Sequence, residues 1–300
     1  MSSRDRVIAF ILATYLTSGM LALTFHLLGM RMVGASALVV GGVYMCVPFV
    51  VALALQRIVV REPIREGLAI HFKPNRWFVV ALLVPLVLGV LSLGVALLLP
   101  GVSYAGFDGL MDRGAESLTD AQRQSVRRAF AEVPVPPILF IALKAIAGGP
   151  TLNALVAFGE EAGWRGFLYR QLRGSFLHIS VITGVVWGLW HLPLVLMGLN
   201  TTGPTWLSML TTLAFAVLLA PLFTYVRAKS GSTVATSIFH GMINATASMS
   251  FLAHGPSALV GPTALAGLIA LVILNAVLFF YDLRLAPESL IRRASVHTNA

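Results

Sequence analysis

"VIAFILATYLTSGMLALTFHLL", residues 7–28, contains no Asp, Glu, Lys or Arg. It is long enough to cross a hydrocarbon core, which takes about 20 apolar residues at 1.5 Å each. Arg4 and Arg6 precede it, as basic residues precede a signal peptide. The stretch exceeds an h-region, however, and has no convincing small-residue cleavage site, so it reads as a retained first span. The rest of the chain repeats the pattern. Of 300 residues, 57% are hydrophobic and 11% charged, against roughly 25% charged in soluble domains. Seven further apolar stretches follow, at 35–55, 77–99, 137–173, 176–197, 206–226, 233–253 and 258–281. The expected fold class is all-α: a polytopic bundle of about eight transmembrane helices forming a single integral membrane domain, 1–300. Cys46 is the single cysteine, so an intrachain disulfide is excluded.

Lys and Arg in the connections set the orientation. With the N-terminus inside, fifteen collect on the cytoplasmic side: Arg4, Arg6, Arg57, Arg61, Arg65, Lys73, Arg76, Arg165, Arg170, Arg173, Arg227, Lys229, Arg284, Arg292 and Arg293. The opposite side keeps five, Arg31 and the four arginines of 101–136. Both termini are therefore expected in the cytoplasm, in a multi-pass protein of a plasma membrane of prokaryotic type. The net charge of +9 is mostly this topology signal. It adds some attraction to anionic lipid, so the bilayer is an expected partner and nucleic acid is not.

Two places depart from the regular pattern. Segment 101–136 mixes five acids with four arginines, and Thr119 or Asp120 stands where an N-cap would open a short amphipathic helix. It is expected to be external and interfacial. The fourth span contains "GGP" at 148–150, which predicts a break and a second helix from about Thr151.

That second helix carries "GEEAGWR", 159–165. Ionised groups at membrane depth are costly and by default mark a functional site. On a helix Glu161 and Arg165 are i and i+4 and share a face, whereas Glu160 and Arg165 do not. Glu161 is thus expected to pair with Arg165, leaving Glu160 to point elsewhere. Gly159, Ala162, Gly163 and Gly166 allow neighbouring helices to come close. The fifth span adds Trp187 and His191 at i and i+4, and the seventh adds His240 and Asn244 at the same spacing. Measured from the cytoplasmic helix ends, Glu160 lies about 20 Å deep, His191 about 22 Å, His240 about 10 Å and Asn244 about 16 Å. Four polar groups from three spans can therefore share one layer within the membrane, and 137–253 is the core that carries them.

Glu160-Glu161-xxx-Arg165, then Trp187-xxx-His191, then His240-xxx-Asn244, in this order on successive spans, resembles the intramembrane proteases related to CAAX prenyl endopeptidases and to bacteriocin-processing and immunity proteins. The resemblance covers about 156–247. It departs from the usual pattern at Trp187, where phenylalanine is commoner, and Trp187 is read as a packing aromatic. What it implies is hydrolysis of a peptide bond in a membrane-associated or prenylated peptide or protein. Such chemistry needs a base to activate water and donors to hold the oxyanion. Glu160 would be the base, His191 would share the water, and His240 and Asn244 would hold the oxygen, with Glu161, Arg165 and Trp187 in support. This version requires no cofactor. The rival version makes Glu160, His191 and His240 zinc ligands with an open position for water, but it consumes the most obvious base.

His26, His71, His178, His254 and His297 have no spaced partners and are expected at the interface, and Lys144 is expected to snorkel or to line the broken helix. Two readings from other classes stand beside the protease. One is a small transporter using the broken helix as a midplane site, for which the chain shows no inverted repeat. The other is an immunity or scaffold protein that keeps the motif for structure.

Overall fold

The computed structural model describes residues 1–114 and 119–296; residues 115–118 of the expected external segment and His297 lie outside the described residues. In chain order the helices are α1 (Ser3–Leu27), α2 (Gly34–Leu55), α3 (Ile64–Gly67) and α4 (Arg76–Leu97). A two-residue strand β1 (Ser103–Tyr104), α5 (Phe107–Gly114), α6 (Asp120–Ala131), α7 (Pro137–Gly148), α8 (Ala154–Glu161) and α9 (Tyr169–Gln171) follow. The chain then forms α10 (Phe176–Leu196), α11 (Thr205–Ser230), α12 (Thr233–Thr246), β2 (Ala253–His254) and α13 (Leu265–Arg284). Helix starts are fixed by local chemistry. Ser2 and Asp5 form a reciprocal capping box on α1, at 3.0 and 3.2 Å. Asn75, Ser175 and Ser232 cap α4, α10 and α12.

The protein is an all-α, multi-pass membrane protein. Among the described residues, seven stretches are long and apolar enough to cross: Ser3–Leu27, Ser36–Val60, Arg76–Leu97, Pro137–Gln171, Phe176–Leu196, Thr205–Ser230 and Leu265–Arg284. Large apolar side chains such as Leu16, Met20, Leu38 and Leu155 stay exposed on these helices, as lipid contact requires.

The stretch 233–253, expected as an eighth long helix, is built differently. α12 has 14 residues and continues as a 3-10 helix over Ala247–Leu252. At its start the Thr233 N–H donates to the Ala69 carbonyl at 3.0 Å and the Thr233 hydroxyl to Leu68 at 2.6 Å, just before α4 begins. At its end β2 pairs antiparallel with β1, just after α4 ends. The short helix therefore travels from one end of α4 to the other. About 21 Å of α-helix plus about 12 Å of the more stretched 3-10 form equal the roughly 33 Å of α4.

The fourth span also differs from expectation, because it is not broken at 148–150. Pro150 lacks the N–H for an α-helical bond, and a π-helical turn over Gly149–Asn153 absorbs the defect. The Thr151 hydroxyl donates to the Ala147 carbonyl at 2.7 Å. α12 packs tightly here. A Cβ on Gly241 would lie 2.2 Å from the Gly149 carbonyl oxygen and 2.4 Å from the Ala154 nitrogen. Both are backbone atoms and cannot swing aside. Gly241→Ala is accordingly expected to cost about 1–3 kcal/mol or more, read as a lowered Tm of the purified protein in detergent; an unchanged Tm would contradict this contact.

The segment expected to be external is anchored by aromatic packing. Thr119, not Asp120, caps α6, with Gln122 completing a capping box. α6 buries no residue, but Phe130 stacks on Phe107 of α5 at 4.4 Å, and Phe140 of α7 meets Phe107 edge-on at 5.5 Å.

Candidate active site

The acidic motif lies at the end of α8, where the helix widens into a second π-helical segment, Ala162–Leu168. α8 is wedged between α2 and α12. The small residues make this possible: a Cβ on Gly163 would lie 2.5 Å from Pro48 Cβ of α2. Glu160, Glu161, Arg165 and His240 are all at most 5% exposed, so each charge must find its partner within the protein.

The two glutamates have different partners. Glu161 Oε1 accepts from Arg165 Nη1 at 2.9 Å, the pair expected from the i,i+4 spacing. The same oxygen lies 2.9 Å from His240 Nδ1. The Arg165 guanidinium also stacks on Phe223, 3.9 Å from the ring centroid, and on Trp187 at 4.9 Å, and the Arg165 carbonyl accepts from Arg227 Nε at 2.8 Å. Glu160 turns away from this cluster. Its Oε2 accepts from Trp187 Nε1 at 2.6 Å. Trp187 is therefore more than the packing aromatic expected of it, since a phenylalanine there would offer no N–H.

The histidine tautomers follow from their partners. His191 Nδ1 is 2.8 Å from the Trp187 carbonyl, which can only accept, so Nδ1 carries the proton and Nε2 keeps its lone pair. His240 Nδ1 donates to Glu161, which leaves Nε2 for whatever enters the site. Trp187 meets both imidazoles edge-on, at 5.1 and 5.6 Å. α10 is itself held by Tyr44, whose hydroxyl donates to the Trp190 carbonyl at 2.8 Å, and by Trp190 Nε1, which donates to Ser18 at 2.8 Å.

Glu160, Trp187, His191, His240 and Asn244 line one cavity of about 230 Å³. Asn244 is exposed to it. Glu161 and Arg165 are not among its lining residues; they sit behind it. Among the described residues, no three His, Cys, Asp or Glu side chains form a group that could hold a metal ion.

Part of the chain is similar to known proteins. Residues 142–246 match the family described as type II CAAX prenyl endopeptidase, Rce1-like. The matched stretch is about a third of the chain. Glu160, Trp187, His191, His240 and Asn244 all fall within the matched stretch. CAAX prenyl protease 2 of Methanococcus maripaludis is 38% identical over 61 residues, which are 20% of this chain and 18% of that protein. The similarity thus spans under a fifth of that relative's length.

Two features of this site were not legible in the sequence. The Glu161–His240 bond joins residues 79 positions apart, and the Trp187–Glu160 bond depends on how α10 is rotated against α8. An indole four residues before a histidine was the only signal of the second.

Proposed function

We propose that this protein is an intramembrane endopeptidase that cleaves a peptide bond in a membrane-associated peptide by glutamate-activated water. The observation that carries this reading is the single cavity lined by Glu160, His191, His240 and Asn244, from three different segments. Glu160 Oε1 and His191 Nε2 are acceptors open to a water molecule. Glu160 takes a proton from that water as its oxygen bonds to the scissile carbonyl carbon, and later delivers the proton to the leaving amine as the C–N bond breaks. The tetrahedral oxygen receives hydrogen bonds from Asn244 Nδ2 and, when His240 carries both protons, from His240 Nε2. Trp187 Nε1 fixes the Glu160 carboxylate, and Glu161 fixes His240.

The test is cleavage of a synthetic membrane peptide by the purified full chain in detergent, with metal content measured on the active fraction. Asn244→Ala is expected to lower kcat by about 10²–10³, or about 3–4 kcal/mol, the usual loss of one oxyanion donor, with KM nearly unchanged. A zinc enzyme behaves differently, because Asn244 would not then contact the reacting oxygen directly, and His191→Ala and His240→Ala would each expel the ion. Stoichiometric zinc whose removal ends activity and whose return restores it would sink the glutamate mechanism. Failure of every membrane peptide to be cut would return the protein to the transporter or scaffold class.

A further inference from the structure

The geometry points to a substrate entrance on the end of the bundle opposite the Lys/Arg-rich end, and to an exported, extended polypeptide as the occupant of that entrance. This rests on the protease reading above.

The site cavity adjoins a larger vestibule at one end. Beyond the polar cluster it is lined by Met32, Asn200, Pro262 and Thr263, and the same four residues line a larger vestibule of about 750 Å³. Met32 precedes α2, Asn200 follows α10 and Pro262 and Thr263 precede α13. All four lie at the end where β1 pairs with β2. Towards the other end the cavity is stopped by buried side chains. Glu161, Arg165, Trp164, Phe167 and Leu168 are at most 1% exposed, and Arg227 is bonded across them to the Arg165 carbonyl. That stopped end carries fifteen of the Lys and Arg residues, whereas the open end carries five. Such a bias places the stopped end in the cytoplasm and the vestibule outside.

The lining selects the occupant. Asn200, Thr201, Thr202, Ser257 and Thr263 line the vestibule, and among the described residues no carboxylate, lysine or arginine does. Neutral hydroxyl and amide groups match the donors and acceptors of an extended peptide backbone, which every residue of such a chain presents. They are a poor match for a polyanion, and a prenyl chain would call for an apolar wall. The vestibule is within the size range of ligand clefts.

The experiment uses the full chain in right-side-out and inside-out membrane vesicles, with single cysteines at Thr201, Ser257, Asn200 or Lys73 in a Cys46→Ser background. A membrane-impermeant maleimide is expected to label Thr201→Cys and Ser257→Cys only in right-side-out vesicles, and Lys73→Cys only in inside-out ones. A charged, impermeant thiosulfonate on Asn200→Cys is expected to cut peptide cleavage on the order of tenfold or more, because a displaced substrate loses its attack geometry. The same reagent on Lys73→Cys leaves cleavage unchanged. Labelling with the opposite sidedness overturns the outward orientation. Undiminished cleavage after complete modification of Asn200→Cys overturns the entrance. If the unmodified chain cleaves no peptide in detergent, the protease reading fails and takes the entrance with it, a result distinct from cleavage in detergent combined with the wrong sidedness.

Discussion

Glu160→Gln is expected to abolish peptide cleavage while leaving the fold intact. The amide has the shape of the carboxylate, and its oxygen still accepts from Trp187 Nε1, now at 2.6 Å from Glu160 Oε2. Packing around α8 should therefore not change. What disappears is the proton acceptor. General base catalysis contributes about 10²–10⁴ in rate, so kcat should fall by that factor. The variant should elute from gel filtration as the parent does and melt at the same temperature. Cleavage within a few-fold of the parent would mean that another group takes the proton. A large loss of Tm would mean that Glu160 is held for structure.

Glu161→Gln is expected to act on stability first. Both partners in the Glu161–Arg165 pair are at most 1% exposed. Removing one partner of a buried ion pair strands the other, at a cost of about 3–5 kcal/mol, less where water reaches the site. The stacking of Arg165 on Phe223 and Trp187 offsets part of this. The amide oxygen can still accept from His240 Nδ1, but without the negative charge this bond is weaker, so the surviving folded protein should also lose activity, unlike a purely structural variant. Replacing both partners, as Glu161→Leu with Arg165→Met, should recover stability relative to Glu161→Gln, since no charge is then left unpaired, yet remain inactive because His240 has lost its anchor. Chemical or thermal unfolding in detergent, run beside the cleavage assay, separates the two effects. Unchanged stability and unchanged activity in Glu161→Gln would show that the Glu161–Arg165–His240 cluster does not hold the site.

These two variants mark where sequence reasoning reached and where it stopped. The i,i+4 spacing assigned Arg165 to Glu161 because both residues belong to one helix, whose geometry is local. The same spacing put His240 and Asn244 on one face, and both line the cavity. Trp187 was read as packing because its ring is apolar, and nothing in a local pattern says where an indole N–H points. "GGP" was read as a break because proline cannot continue an α-helix, but a π-turn is a remedy that exists only when a neighbour supports it. Here α12 does, through the contact of Gly241 with Gly149.

By itself the sequence determined the class of the protein, since a bilayer demands long apolar helices and tolerates a buried charge only at a cost. It also singled out the polar residues that the structure brings to one cavity, because ionisable and amide groups stand out in a chain that is 57% hydrophobic. The tertiary structure alone decided that a 14-residue helix eked out by 3-10 turns travels as far as α4 does. It likewise decided that Glu161 is shared between an arginine and a histidine, that Trp187 donates to Glu160, and that the cavity adjoins a larger vestibule. Each of these depends on the rotation and depth of one helix against another. Those are set by packing between residues distant in the chain, and periodicity within a single helix contains no information about them.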